Sequence, residues 1–233
     1  MPQFDFRAYG SDKIESGYMS VYERLFQPLV GQPVALLELG IFKGESLRLW
    51  RDYFPRGTIV GLDIKPIEMD DPGGRIHVYR GPQEDTALLS RIAHEHAAAG
   101  FDIIIDDASH LAWPTRIAFW HLFEHHLKPG GIYVIEDWGT GYWDDWPDGA
   151  IYRPRPWLAR KVLGVIKRLG LLRSIPQHTH SHGMVGFIKE LVDEQGAADL
   201  TRRRHSGRSG RRSKFKQLLI VHGMVVVTKA DLA

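Results

Sequence analysis

Two stretches of the chain combine residue types that can do chemistry. Phe101 to His110, FDIIIDDASH, and Ile132 to Asp137, IYVIED, are apolar β-branched runs that each end in acids. Buried parallel strands read as unbroken hydrophobic runs, so an abrupt acidic end marks where such a strand opens into a polar crevice. Neighbouring strands lie about 4.8 Å apart, and pairing of these two would crowd Asp106, Asp107, Glu136 and Asp137 into one site. Like charges repel unless something positive neutralises them. An all-oxygen set suits Mg²⁺, Mn²⁺ or Ca²⁺ better than zinc, and magnesium keeps waters that a substrate hydroxyl can displace. His110, three residues past Asp107, is then placed as a base beside the metal.

The remaining residues must hold these strand ends. A chain of 233 residues fits one domain of ordinary enzyme size, and 43% hydrophobic with 25% charged residues reads as globular. The absence of cysteine excludes disulfides, thiolate metal sites and thiol catalysis. No apolar core of signal-peptide length opens the chain and no 18-residue apolar run occurs in it, so the expectation is a cytoplasmic protein without a membrane span. A formal net charge of +2 gives little ground for a nucleic-acid partner.

Taken in order, residues 1 to 33 read as an N-terminal cap with a helix from about Tyr18 to Leu29. Val34 to Leu39 is a short apolar strand running into Gly40 and Gly44, then a helix with Leu47, Trp50 and Phe54 on one face. A strand, glycine turn and helix bring a ligand close to backbone N–H groups. The next strand, Thr58 to Ile64, ends with Asp63, about 20 residues past the glycines, where a carboxylate can accept from both hydroxyls of a ribose or act as a turn acid. The lack of a full GxGxxG favours a nucleoside ligand smaller than a dinucleotide. A strand from Arg75 to Tyr79 leads to Gly81-Pro82-Gln83-Glu84-Asp85, whose side chains meet an adenine edge or cap the helix that carries Leu88, Leu89, Ile92 and Ala93. A helix with Ile117, Trp120, Phe123 and Leu127 on its face joins the two acidic strands through Lys128-Pro129-Gly130-Gly131. The alternation implies a doubly wound α/β fold with a parallel sheet and right-handed crossovers.

Beyond Asp137 the pattern loosens. Trp138 to Asp148, with Tyr142, Trp143 and Trp146, is either an aromatic platform for a sugar ring or a loop tucked onto the core. Trp157 to Leu172 reads as a basic helix within an insertion at 138–176 that covers the site. Two similar segments, His182 to Lys189 and His222 to Lys229, read as the strands of an antiparallel sheet edge. Between them, Thr201 to Lys216 holds eight Arg or Lys residues among glycines and serines, a solvated loop or a contact for an anion. His178, His180 and His182 alternate, which on a strand would put three imidazoles on one side, as zinc requires.

Together, Gly10-Ser11-Asp12-Lys13, LLELGIFKGESLRLWRDYFPRGTIVGLDI from Leu36 to Ile64, IDDASH from Ile105 to His110 and PGGIYVIEDW from Pro129 to Trp138 resemble the metal-dependent sugar O-methyltransferases. These are S-adenosylmethionine enzymes typified by those acting on macrolide deoxysugars, and the mycobacterial methylmannose polysaccharide methyltransferases share the pattern. The resemblance covers roughly residues 9 to 190. It implies a Rossmann-like class I methyltransferase: one domain with a mostly parallel seven-stranded sheet and an antiparallel last strand. It further implies that Glu38 and Gly40 line the methionine part of the cofactor, Asp63 the ribose, and Gln83 and Glu84 the adenine side. Ser11 and Lys13 approach from the N-terminal turn, and Asp106 is grouped with these cofactor residues. Asp107, Glu136 and Asp137 would hold Mg²⁺ or Mn²⁺, with His110 as base. The expected partner is a sugar or oligosaccharide, and the expected assembly a homo-oligomer. The chain lacks the auxiliary domain of the macrolide enzymes and adds the basic loop, which leaves the acceptor open. The competing readings are a metal-dependent catechol or phenol O-methyltransferase and, outside enzymes, a nucleoside- or RNA-binding module.

Overall fold

The computed structural model describes residues 4–152, 161–162, 165–166, 168–169, 180–203 and 210–231. Seven strands form one sheet in the order β3-β2-β1-β4-β5-β7-β6. They are β1 (Ala35–Leu39), β2 (Thr58–Asp63), β3 (Ile76–Arg80), β4 (Phe101–Asp106), β5 (Leu127–Glu136), β6 (Phe215–Ile220) and β7 (Met224–Lys229). The first five pair in parallel, and β7 runs antiparallel between β5 and β6. This is the class I methyltransferase arrangement expected above. The order reverses between β1 and β4, where Leu39 lies opposite Asp106, and ligands of open α/β sheets bind outside the strand ends at such a switch point.

Side-chain alternation sends each strand's apolar residues to two cores. Leu37 and Leu39 enter one with Ile104, Phe119 and Phe123, while Leu36 enters the other with Trp50, Ile103 and Ile105. On the first face lie α4 (Thr86–His96), α5 (Ala112–His125) and, after the short α6 (Pro147–Ala150), α7 (Gly183–Gln195); on the second lie α2 (Met19–Phe26) and α3 (Glu45–Tyr53). Trp50 of α3 carries Tyr22 and Phe26 of α2 against it at ring separations of 5.1 and 5.6 Å. That aromatic cluster seats the N-terminal segment, including the short α1 (Asp12–Glu15), above the strand ends.

Three expectations are corrected. His182 to Lys189 is not a strand but the start of α7, because the run continues as KELVDEQ and buries Met184, Val185, Phe187, Ile188 and Leu191 with helical period. The sixth strand is Phe215–Ile220, overlapping the end of the supposed basic loop. On α5 the buried face is Pro114, Thr115, Ala118, Phe119, Leu122 and Phe123, while Leu127 belongs to β5, which takes in Lys128 to Gly131 across an irregular register. Most of Trp157 to Leu172 and residues 204–209 of the basic loop lie outside the described residues. Of the loop's described cations, Arg211 pairs with Glu194 and Lys214 with Glu124. Among the described residues no helix is long and apolar enough to cross a membrane.

Candidate active site

Gly40 ends β1 at φ 80°, and a Cβ there would lie 2.2 Å from the carbonyl oxygen of Asp107. The β1 turn and the loop after β4 are therefore in backbone contact, locked further by Asp107 N–H donating to Leu39 O at 2.8 Å. Asp63 fixes the same turn from β2. Its Oδ2 accepts from the N–H groups of Ile41 (3.0 Å) and Phe42 (3.1 Å), and its Oδ1 from Lys65 N–H (2.9 Å). The carboxylate expected at a ribose thus also shapes the glycine turn.

Two cavities of about 530 Å³ each open here, both touching Gly40, Asp63, Ile64 and Ala108. The first takes in Ser11, Lys13, Asp107, His110 and Asp137; the second, more apolar, takes in Gln83, Glu84, Leu111, Trp113 and Pro114. Each falls within the usual range for ligand pockets. Ser11 is only 7% exposed, and its hydroxyl, on the first cavity's wall, has no hydrogen-bond partner. A buried orphan hydroxyl costs about 1 to 3 kcal/mol and fits a site that a polar ligand completes.

The acids separate into an inner and an outer set. Glu38 sits among apolar residues of β1, fully buried, and the other inner acid is Glu136, 2% exposed. Lys13, 1% exposed, reaches Glu136 at 2.8 Å, Asp107 at 2.6 Å and Glu38 at 3.1 Å. Burial pulls the Lys13 ammonium down, but Glu136, Glu38 and Asp107 outweigh it and hold the group well above its ordinary value. Burial also pushes Glu136 up to about 8, against the pull of Lys13. It raises Glu38 and Asp107 for the same reason. Tyr22 donates its phenol hydrogen to Glu136, and Tyr18 donates to Asp137.

The outer set is Asp107, His110 and Asp137, whose ligand atoms all lie within 4.8 Å of one another. Two carboxylates and an imidazole at the mouth of a cavity form a donor set that fits a divalent cation. Glu136, expected as a third ligand, is outside this group, and Lys13 and Tyr22 both meet its Oε1. Phe42, His110 and Asp137, at φ 47°, 52° and 51°, are the non-glycine residues in the left-handed region among the described residues. All three line the first cavity, and such conformations cost about 1 to 3 kcal/mol each where the surroundings enforce them. At His110 the enforcement is visible: its carbonyl accepts from Thr140 Oγ1 and Trp146 Nε1, both at 3.2 Å. The aromatic segment is thus partly tucked in through Trp146, while Tyr142 and Trp143 remain exposed.

Asp106 sits differently from expectation, and Gln83, on the wall of the second cavity, has a further role. Asp106 lines neither cavity; its oxygens accept from Gln83 Nε2 at 3.0 and 3.1 Å, and burial pushes it up to about 7. Gln83 Oε1 accepts from Ser109 N–H at 2.9 Å, so this side chain braces the loop that bears Asp107 and His110. Asp85 caps α4 by accepting from the N–H groups of Ala87 and Leu88, which leaves Glu84 as the polar side chain facing the second cavity beside Gln83. The zinc alternative loses its geometry: His182 precedes a helix, and the ring nitrogens of His180 meet Gly141 O and His182 N–H. His178 lies outside the described residues.

Tyr18, Tyr22 and Asp148 were not singled out from the sequence. The two tyrosines have a faint signal, phenols four residues apart on one helical face. Asp148 Oδ2 accepts from Ala112 N–H and Met184 N–H, both at 2.7 Å, tying the insertion to the starts of α5 and α7.

The fold and the outer donor set define a class I methyltransferase framework. No protein-family model matches the chain. Its sequence relatives are sugar O-methyltransferases. It is 41% identical over 159 residues to 8-demethyl-8-(2-methoxy-alpha-L-rhamnosyl)-tetracenomycin-C 3'-O-methyltransferase of Streptomyces olivaceus, covering 65% of this chain and 39% of that protein. It is 43% identical over 129 residues to mycinamicin VI 2''-O-methyltransferase of Micromonospora griseorubida, covering 52% of this chain and 31% of that one. Among solved structures it is similar to the MycE methyltransferase of the mycinamycin pathway in complex with Mg and SAH, at 32% identity and a TM-score of 0.64. That match covers 91% of this chain and 48% of MycE. The chain therefore spans about half the length of MycE and less than half of these curated relatives.

Proposed function

We propose that this chain is an O-methyltransferase domain that moves the methyl group of S-adenosylmethionine to a sugar hydroxyl with the help of Mg²⁺ or Mn²⁺. The observation that carries the reading is the convergence of Asp107, His110 and Asp137 at the mouth of the cavity that also contains the Gly40 turn and Asp63. Support comes from the relatives, whose names specify rhamnosyl and olivosyl substrates, and from MycE, solved with Mg and SAH.

In this reading the sulfonium cofactor supplies an electrophilic methyl group, and a divalent cation supplies charge that lowers the pKa of a nearby hydroxyl. Asp63 and the Gly40 turn orient the nucleoside, Ser11 borders the methionine end, and Gln83 and Glu84 border the base; Glu38, expected at the methionine end, is fully buried and lines neither cavity, so it acts through Lys13. Asp107 and Asp137 would hold the cation, and Lys13 ties Asp107 to Glu136 behind it. His110 receives the hydroxyl proton on its ring nitrogen, and its fixed carbonyl sets where that ring points. Holding both substrates in register removes a large entropic barrier. The exposed Trp113, Tyr142 and Trp143 give the rim apolar faces for the acceptor. The enzyme works in the cytoplasm as a homo-oligomer.

A mass-spectrometric screen tests this, using S-adenosylmethionine and Mg²⁺ with glycosylated antibiotics, free sugars, methylmannose oligosaccharides and phenols. Methylation confined to sugar hydroxyls, lost on chelation and restored by Mg²⁺ or Mn²⁺, is the expected outcome. Methylation of phenols alone would move the chain to the catechol class. Full turnover after thorough chelation would remove the metal.

A further inference from the structure

The acids at the strand ends are held by one short stretch of chain. Lys13 donates to Asp107, Tyr18 to Asp137 and Tyr22 to Glu136, so three residues within ten positions each fix a different carboxylate. Tyr22 lies fully buried in the aromatic cluster around Trp50, and its partner Glu136 is outside the converging donor set. Tyr18 differs on both counts. Its partner Asp137 belongs to that set, and its ring edge is wedged against the turn between β6 and β7. A Cβ at Gly223, which has φ 73°, would lie 2.0 Å from the Tyr18 hydroxyl and 2.6 Å from its ring carbons. Only a glycine lets the turn approach so closely. Asp137 follows the end of β5 in a left-handed conformation, so its direction depends on what its carboxylate touches.

We propose that Tyr18 is a positioning residue for the divalent cation. Its phenol occupies Asp137 Oδ1 and aims the carboxylate at Asp107 and His110, while Gly223 of the C-terminal hairpin fixes the phenol. This rests on the proposal that Asp107 and Asp137, beside His110, hold a cation. Removing a hydrogen-bond partner behind a metal ligand costs about 10- to 100-fold in metal affinity.

The test is Mn²⁺ binding to the full chain, read by the electron paramagnetic resonance of free Mn²⁺ without acceptor. Calorimetry with S-adenosylhomocysteine and thermal unfolding in chelator run in parallel. Tyr18→Phe keeps the ring and its packing on Gly223 and deletes only the hydroxyl. The expected result is Mn²⁺ affinity lower by about 10- to 100-fold with S-adenosylhomocysteine affinity unchanged. Tyr22→Phe, the same deletion four residues on, should lower the melting temperature and leave Mn²⁺ affinity in place. Should Tyr18→Phe fail to fold, Gly223→Ala carries the same test with the phenol present but displaced. Gly74→Ala, at φ 63° with nothing within 4 Å, controls for backbone strain alone. Wild-type binding of Mn²⁺ with an equal affinity in Tyr18→Phe overturns the positioning role and spares the metal. Equal weakening of Mn²⁺ and S-adenosylhomocysteine would make Tyr18 merely structural. No Mn²⁺ binding by the wild type overturns the metal reading and this inference with it.

Discussion

Replacing Lys13 by Met isolates what the buried ammonium does, because Met keeps the length and volume of the stem and removes only the charge. The wild-type ammonium sits 2.6 to 3.1 Å from oxygens of Asp107, Glu136 and Glu38. Taking one partner from a buried ion pair costs about 3 to 5 kcal/mol, chiefly because the opposite charge is left without compensation. At about 2 to 4 °C per kcal/mol for a chain of this size, the melting temperature should fall by roughly 6 to 20 °C. The pH dependence has a definite sign. Glu136 is raised to about 8 by burial, and Glu38 and Asp107 are raised too. A carboxyl with a raised folded pKa contributes stability below its unfolded value near pH 4, and that stability is lost as pH rises through the folded value. Lys13 opposes this rise, so its removal steepens the loss. The deficit of Lys13→Met should be large at about pH 8 and should shrink toward about pH 5, where Glu136 is protonated. Thermal unfolding in the presence of a chelator, at both pH values, reads this directly. An unchanged melting temperature at the higher pH, or a deficit that grows toward acid, would refute the reasoning.

Asp63→Ala frees the N–H groups of Ile41, Phe42 and Lys65, and hydrogen bonds to a charged acceptor are worth about 1.5 to 3 kcal/mol. S-adenosylhomocysteine should bind at least about 10-fold more weakly by calorimetry, and unchanged affinity would remove Asp63 from the site. Gly40→Ala places a methyl 2.2 Å from Asp107 O, so melting temperature and S-adenosylhomocysteine affinity should both drop; survival of both would mean the two loops can separate freely. His110→Ala should slow methyl transfer by about 10²- to 10⁴-fold while cofactor affinity holds. A near-normal rate would pass the proton to another group.

Period and punctuation made much of this fold legible. Apolar β-branched runs separated by helical patterns located β1, β2, β4 and β5, and acids at the ends of β4 and β5 marked the crevice. Where the local signal was shared by two structures, the reading failed. HGMVGFIK and HGMVVVTK begin alike, yet the first has Gly186 in place of a β-branched residue and leads into a helix, while the second is a strand. Gln83 was legible as a site residue but not as the brace between Asp106 and Ser109, because that role needs the register of β4 against its neighbours. Tyr18 and Tyr22 were hidden by their own chemistry: aromatics on an apolar helix face read as core, and both rings are packed in it.

The partition of the acids explains why so much negative charge can stand at one point. Glu38 and Glu136 are closed off from solvent, so no soluble cation reaches them. Their charge is met by a fixed ammonium and, at Glu136, by a phenol hydrogen bond, while burial raises both carboxyls above their ordinary values. Asp107 and Asp137 border the open cavity and share the inner set's supports by one contact each, Lys13 for the first and Tyr18 for the second. Lys13 takes Oδ2 of Asp107 and Tyr18 takes Oδ1 of Asp137. Buried ion pairs alone are weak stabilisers, and a fixed cation placed only to stabilise would have no reason to leave the outer pair half satisfied. The N-terminal segment closes over Glu38 and Glu136 and holds Asp107 and Asp137 by one contact each at the cavity wall.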